Sequence, residues 1–184
     1  MGDTKKSRKK YQRPLRPWQA ERIEEEHAIK REYGLKNKKE LWRMAAFLQR
    51  FKHNAKRVSS GEKKQQVKER TAMINRLQRY GLLKKGGQVD DILGLSLKDV
   101  MERRVQTLLV RKGLARTIDQ ARQFIVHRHV LVNGKRVTSP SYLVPLEEEP
   151  HIGFYGNSAL AKEDHPERQV AEKKKAVESQ VEKK

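Results

Sequence analysis

Between residues 96 and 137 the chain carries a helix-start signal, a stop, a second start and a hairpin signal in succession, an order that leaves few folds open. Ser96 followed three residues later by Asp99 forms a capping pair, in which each side chain can serve the other's backbone N–H. Leu97, Val100, Met101, Val105, Leu108 and Leu109 then recur at helical spacing, so one helix is expected from there to Gly113, which can adopt the left-handed stop. Thr117 with Gln120 opens a second helix, with Ile118, Ala121, Phe124 and Ile125 on its buried face. Asn133 and Gly134 suit a type I′ turn between short strands at 130–132 and 135–137. Further short strands at 142–144 and 151–154 would complete a small sheet behind the two helices.

The outer faces of these helices are read as cationic. Arg103, Arg104, Arg111 and Lys112 stand off the apolar stripe, with Arg104 and Arg111 two turns apart on one side. Arg116 and Arg122 bracket the start of the second helix, where backbone N–H groups and the helix dipole attract anions. The same sign dominates the whole chain: 43 Lys and Arg stand against 23 Asp and Glu, a net charge of +20. A surplus of that size repels itself in the isolated protein and implies a polyanionic partner, because each phosphate neutralised releases counterions. Charge alone leaves histone-like, tRNA-binding and ribosomal functions open, and fits a membrane surface less well. With no cysteine there is no disulfide framework, thiolate nucleophile or Cys-based zinc module. No run approaches the roughly 18 apolar residues of a membrane span, and no secretory apolar core opens the chain, so a soluble intracellular protein is expected.

Most of the surplus charge lies in residues 1–58 and 102–144, whereas the stretch from Pro145 onward is slightly acidic. Residues 5–16 are basic, punctuated by proline and poor in apolar side chains, which predicts an extended arm that orders on its partner. Residues 18–33 are compatible with a weakly amphipathic helix. Asn37 and Glu40 begin a clearer one, with Leu41, Met44, Ala45, Leu48 and Phe51 as its apolar stripe and Arg43, Arg50 and Arg57 sharing another face. Ser59 with Glu62 opens a third helix carrying Val67, Ile74, Leu77 and Tyr80, terminated by Gly81. Residues 82–87 form a basic joint and residues 89–95 are open between strand and helical turn. The expected division is an arm over 1–17, a helical domain over 18–95, a compact second domain over 96–156 and a charged, frayed tail over 157–184. The fold class is therefore α+β.

The run from Glu102 to Val144, with Leu109, Val110, Arg111, Lys112, Gly113, Leu114, Ala115 and Arg116, then Ala121, Arg122, Val132, Asn133 and Gly134, resembles the alpha-L RNA-binding domain. In that family two helices and a small sheet present a basic groove to structured RNA, with shape and phosphate contacts outweighing base reading. Pro14, Pro17 and Trp18, then Tyr33, Gly34, Leu35, Asn37, Lys38, Glu40, Leu41, Trp42 and Arg43, are similar to the opening of the family of the fourth small-subunit ribosomal protein, in its archaeal and eukaryotic branch. The two resemblances together cover most of residues 14–154. They imply a structural constituent of the small ribosomal subunit, bound to rRNA in the cytoplasm beside other ribosomal proteins. They also imply that it nucleates assembly of the rRNA 5′ domain by clamping a helical junction, and affects accuracy near the mRNA path. The cysteine cluster of many bacterial members is absent here, so metal binding does not carry over.

The residues expected to contact rRNA are Lys9, Lys10, Arg13, Arg16, Lys38, Arg43, Arg50, Arg57, Arg103, Arg104, Arg111, Lys112, Arg116, Thr117, Gln120, Arg122, His127, Arg128 and Lys135. Trp18, Tyr33 and Trp42 are candidates for stacking on bases, with Trp42 better placed for core packing. His127 and His129, two apart with no cysteine or carboxylate cluster nearby, make poor metal ligands and are expected to border the RNA face. The run Glu147 to Glu149 before Pro150 reads as an exposed turn. No nucleophile and base pair or glycine-rich phosphate loop stands out, so no catalysis, cofactor, metal, membrane or small-molecule substrate is expected. Two other classes stay in view: an RNA-modifying enzyme that uses the domain for docking, which would need a catalytic module, and a free-standing quality-control protein, which would not need the long N-terminal half.

Overall fold

A computed structural model describes residues 9–59, 64–162 and 165. The expectations for residues 1–8, for Glu62 as a capping partner and for most of the tail beyond 162 lie outside them. In chain order the elements are α1 (Ala20–Glu32), α2 (Lys38–Ser59), α3 (Lys64–Arg79), α4 (Val89–Gly94), α5 (Leu97–Glu102), α6 (Val105–Arg111), α7 (Ile118–Val126), β1 (Val130–Val132), β2 (Lys135–Arg136), β3 (Ile152–Phe154) and a 3₁₀ turn at Ala159–Ala161. The fold is α+β, with a helical N-terminal half and a small antiparallel sheet. The chain divides into two compact units, Met1–Asn75 with Lys85–Val100 and Arg76–Lys84 with Met101–Lys184.

In the first unit α2 is the organising element. Asn37 Oδ1 accepts from the Glu40 N–H at 3.2 Å to start it, and Leu41, Met44, Leu48, Phe51, Ala55 and Val58 are buried along one stripe. Burial of one such side chain stabilises by about 1.5–3 kcal/mol, which is why a sequence this polar still folds around a narrow seam. Against α2 packs α4, the stretch left open between strand and turn; the Gln88 N–H donates to Asp91 Oδ2 at 2.8 Å in a capping box with no Ser or Thr to announce it. In α3, whose residues from Arg76 onward cluster with the second unit, Met73 and Leu77 are buried and Ile74 is half-buried, whereas Val67, expected in the same stripe, is exposed. Gly81, with φ of 70°, ends α3 by donating its N–H to Gln78 while Leu82 donates to Leu77.

α1 departs from the amphipathic rule. Its one buried residue is Glu26, 6% exposed, held by three donors. Arg22 Nη1 and Trp42 Nε1 donate to Glu26 Oε1, the latter at 3.0 Å, and Lys38 Nζ lies 3.0 Å from Oε2. Burial pushes this carboxyl up, but the hydrogen bonds from Trp42, Lys38 and Arg22 outweigh it and hold the group below the ordinary glutamate range.

The second unit folds around Val105, Leu108, Leu109, Ala121, Phe124, Ile125, Val130, Val132, Val144 and Ile152. Its sheet has the order β2–β1–β3 with both pairs antiparallel, and Asn133 and Gly134, at φ of 50° and 74°, make the expected turn. Gly113, at φ of 71°, closes α6 as expected, and the Gln120 N–H donates to Thr117 Oγ1 at 3.2 Å to open α7.

The single helix expected over 96–113 is two helices. Ser96 and Asp99 do cap the first reciprocally, but the chain becomes extended at Arg104, with ψ of 140°, before α6 begins. The cause is tertiary. The Val105 N–H donates to Tyr142 O at 2.9 Å, the Val144 N–H donates to Arg103 O at 3.0 Å, and Arg104 and Leu143 form an antiparallel bridge. The strand expected at 142–144 is thus this isolated bridge to the helix break, outside the three-stranded sheet. Nothing local in Arg103 or Arg104 disfavours a helix, so the break is a case of tertiary hydrogen bonding overriding propensity.

Candidate RNA interface

The candidate residues of the second unit separate into an inward and an outward set. Arg104, expected beside Arg111 on the outer face, is fully buried, with Nη1 3.9 Å from Met101 Sδ; the helix break turns it into the core. Arg103 is nearly covered. It donates through Nη2 to Val144 O at 3.0 Å and pairs through Nη1 with Glu149 at 2.8 Å. Lys112 Nζ donates to the Glu149 carbonyl. These cations therefore brace the 142–149 segment, where Tyr142 also donates to Glu148 Oε2 at 2.7 Å. The bond to Glu148, with burial, pushes the Tyr142 hydroxyl up to about 12. The glutamate run is a turn, as expected, and two of its carboxylates are structural partners.

The outward set is Arg111, Arg116, Thr117, His127, Arg128 and Lys135, all exposed, with Arg122 and Gln120 partly so. Arg111 is bound to Glu102 through Nε at 3.1 Å and Nη2 at 2.9 Å, with its side chain still 68% exposed. Gln120 Oε1 accepts from the Arg116 N–H at 2.8 Å, one residue further back than a capping box requires, and this fixes the backbone that carries Arg116 at the mouth of α7. At the other end of α7, Arg128 occupies the left-handed region with φ of 65°, where its N–H donates to Ile125 O and that of His129 to Phe124 O. His129 itself turns away, its Nδ1 2.7 Å from Ser158 Oγ.

One member of this surface was not foreseen. Arg136, beside Lys135 on the exposed edge strand, lies 3.8 Å above the Tyr155 ring. Alternation along a strand would have faced one of the pair inward. A strand of two residues at a sheet edge has no second layer to bury either side chain, and the strongly basic Asn-Gly-Lys-Arg turn was the available signal.

In the first unit Arg43, Arg50 and Arg57 are exposed along one face of α2, with Arg57 paired to Glu69 at 3.0 Å. Lys9, Lys10, Arg13 and Arg16 are exposed in the irregular segment before α1. Lys38 is committed to Glu26 and only partly exposed. Among the aromatic candidates Tyr33 is buried, Trp42 is half-buried and hydrogen-bonded, and Trp18 is 89% exposed. Among the described residues no group of three or more His, Cys, Asp or Glu is placed to hold a metal ion, and no helix is long and apolar enough to cross a membrane.

Short helices packed on a three-stranded sheet, with cations left on the outer rim, define an RNA-binding protein of the S4-domain class, and the family model of the S4 domain matches residues 103–149. The likeness extends well beyond that domain. Small ribosomal subunit protein uS4 of Methanococcus aeolicus is 49% identical over 169 residues, covering 91% of this chain and 96% of its own. Its counterparts in Methanococcus vannielii and Methanococcus maripaludis are 48% and 47% identical over 172 residues, covering 93% of this chain and 97% of theirs. The chain belongs to the uS4 family of small ribosomal subunit proteins.

Proposed function

We propose that this protein is a structural, non-catalytic constituent of the small ribosomal subunit. It binds small-subunit rRNA beside neighbouring ribosomal proteins, and its place is the ribosome in the cytoplasm. In this reading it acts early, nucleating the 5′ domain by clamping a helical junction, each unit holding a different RNA helix, and it influences decoding accuracy near the mRNA path. The observation that carries the reading is the exposed cations on both units, Arg43, Arg50 and Arg57 on α2 and Arg116, Arg128 and Lys135 around α7, in a chain of net charge +20. Phosphates of converging RNA helices repel one another, and guanidiniums held on a folded surface offset that repulsion without reading sequence.

The test is equilibrium binding to small-subunit rRNA across a salt series. A protein making 6–10 phosphate contacts loses roughly 10³–10⁵ in affinity between 50 and 200 mM salt. Replacing either set of cations by alanine should lower both the affinity and the salt slope. An affinity that is flat with salt, or that depends on one unit alone, would overturn the clamp.

A further inference from the structure

Residues 11–18 form no helix or strand, yet both ends are tied to one buried carboxylate. At the near end Arg22 Nη2 donates to the carbonyls of Arg16 at 3.0 Å and Pro17 at 2.9 Å while its Nη1 is held by Glu26. At the far end the Tyr11 ring stacks on Trp42, centroids 6.2 Å apart, and the Trp42 Nε1–H is held by the same Glu26. Glu26 thus fixes both side chains that fasten the segment.

What the segment displays is complementary to a nucleotide. Trp18 is 89% exposed immediately after the anchored Pro17 carbonyl, Arg13 and Arg16 are exposed beside it, and residues 9–18 contain no Asp or Glu. An indole face accepts any base by stacking, and flanking guanidiniums accept the phosphates that come with it. A second observation points to the same chemistry. A cavity of about 510 Å³ beside the segment is lined by Arg13, Arg16, Arg22 and Trp42, together with Glu26, whose charge is taken up by Arg22 and Lys38. Three guanidiniums beside an indole suit the phosphate and sugar oxygens of a nucleotide.

We propose that residues 11–18 are a pre-built platform for an unpaired nucleotide of the RNA, with Trp18 stacking on the base, Arg13 and Arg16 contacting its phosphates, and Glu26 as the positioning residue that holds the platform in shape. This rests on the rRNA-binding reading above. Pre-organisation matters because an arm ordered only on contact would lose affinity to its own ordering entropy.

Full-length protein and small-subunit rRNA provide the test. Trp18→Ala should weaken binding about tenfold with the salt slope unchanged, and Trp18→Phe should restore most of it. Trp18→Phe should also remove most of the RNA-induced quenching of tryptophan fluorescence, leaving only the share of Trp42. Glu26→Gln should weaken binding comparably, yet add little in a Trp18→Ala, Arg13→Ala, Arg16→Ala background, because it acts only through those residues. If Glu26→Gln does not fold, Tyr11→Ala cuts the far tie alone and should show the same non-additivity. Trp18→Ala binding like the native chain, or quenching undiminished in Trp18→Phe, would overturn the nucleotide site. Additive losses would overturn the positioning role. A native chain that fails to bind rRNA would instead overturn the reading on which the proposal rests.

Discussion

Arg128 is held in a backbone conformation that suits glycine better. As the second residue past α7, after the His127 cap, it takes the left-handed position of a helix stop with φ of 65°, and its side chain is exposed. For an L-residue that conformation costs about 1–2 kcal/mol, part of which glycine would return as unfolded-state entropy. Arg128→Gly should therefore stabilise the fold by about 0.5–1 kcal/mol, raising Tm by roughly 2 °C. If the guanidinium contacts phosphate, the same change should weaken rRNA binding and reduce the salt slope by roughly 0.7–0.9. Thermal unfolding beside filter binding reads both, and a variant improved in Tm with unaltered binding would remove Arg128 from the interface. Glu26 shows the converse at this scale. A glutamate on a helix without amphipathic pattern gives no hint of burial, because its partners Trp42 and Lys38 come from another element and meet it only in the fold.

Elements were legible where their signals are local. The starts of α2, α5 and α7 follow from side chains that accept from a backbone N–H three residues on, and the stops at Gly81 and Gly113 and the turn at Asn133 and Gly134 from the positive φ those residues adopt, so sequence spacing contains the whole signal. The break between α5 and α6 was illegible because its hydrogen bonds come from residues 142–144, about forty positions away. That one break also explains which candidates left the surface. Arg104 became core and Arg103 a brace for Glu149, since a shift to extended backbone re-aims every side chain that follows a continuous helical register. Arg104→Ala should consequently behave as a core deletion, costing about 3 kcal/mol, while leaving the salt slope of rRNA binding unchanged in the folded protein. Arg116→Ala should do the opposite, with little change in Tm and a shallower slope. Urea denaturation and a salt series on both variants would separate the two roles; a shallower slope for Arg104→Ala would return it to the RNA face.

At the scale of the whole molecule, charge was readable from the start but its allocation was not, since cations that brace the fold count equally with those that meet solvent. The division of the chain likewise departs from its composition. The joint after α3 looks like a linker, yet residues 76–84 cluster with the second unit, and the protein fastens them there at Leu146. The Leu146 N–H donates to Arg79 O at 2.8 Å, and its side chain lies so close over Gly81 that a Cβ there would stand 2.8 Å from Leu146 Cδ2. Cutting at residue 96, where the capping pair begins, removes those contacts and leaves Leu146, already 48% exposed, with its backbone N–H unpaired. A fragment of residues 76–165 should therefore be more stable than one of residues 96–165, by about 1–3 kcal/mol from one hydrogen bond and one apolar contact. Denaturant midpoints of the two fragments measure the difference directly. Introducing Gly81→Ala should destabilise the longer fragment toward the shorter one, because the new methyl meets Leu146 and the residue keeps φ of 70°. Equal midpoints for the two fragments would show that residues 76–84 are a tether and no part of the second unit's fold.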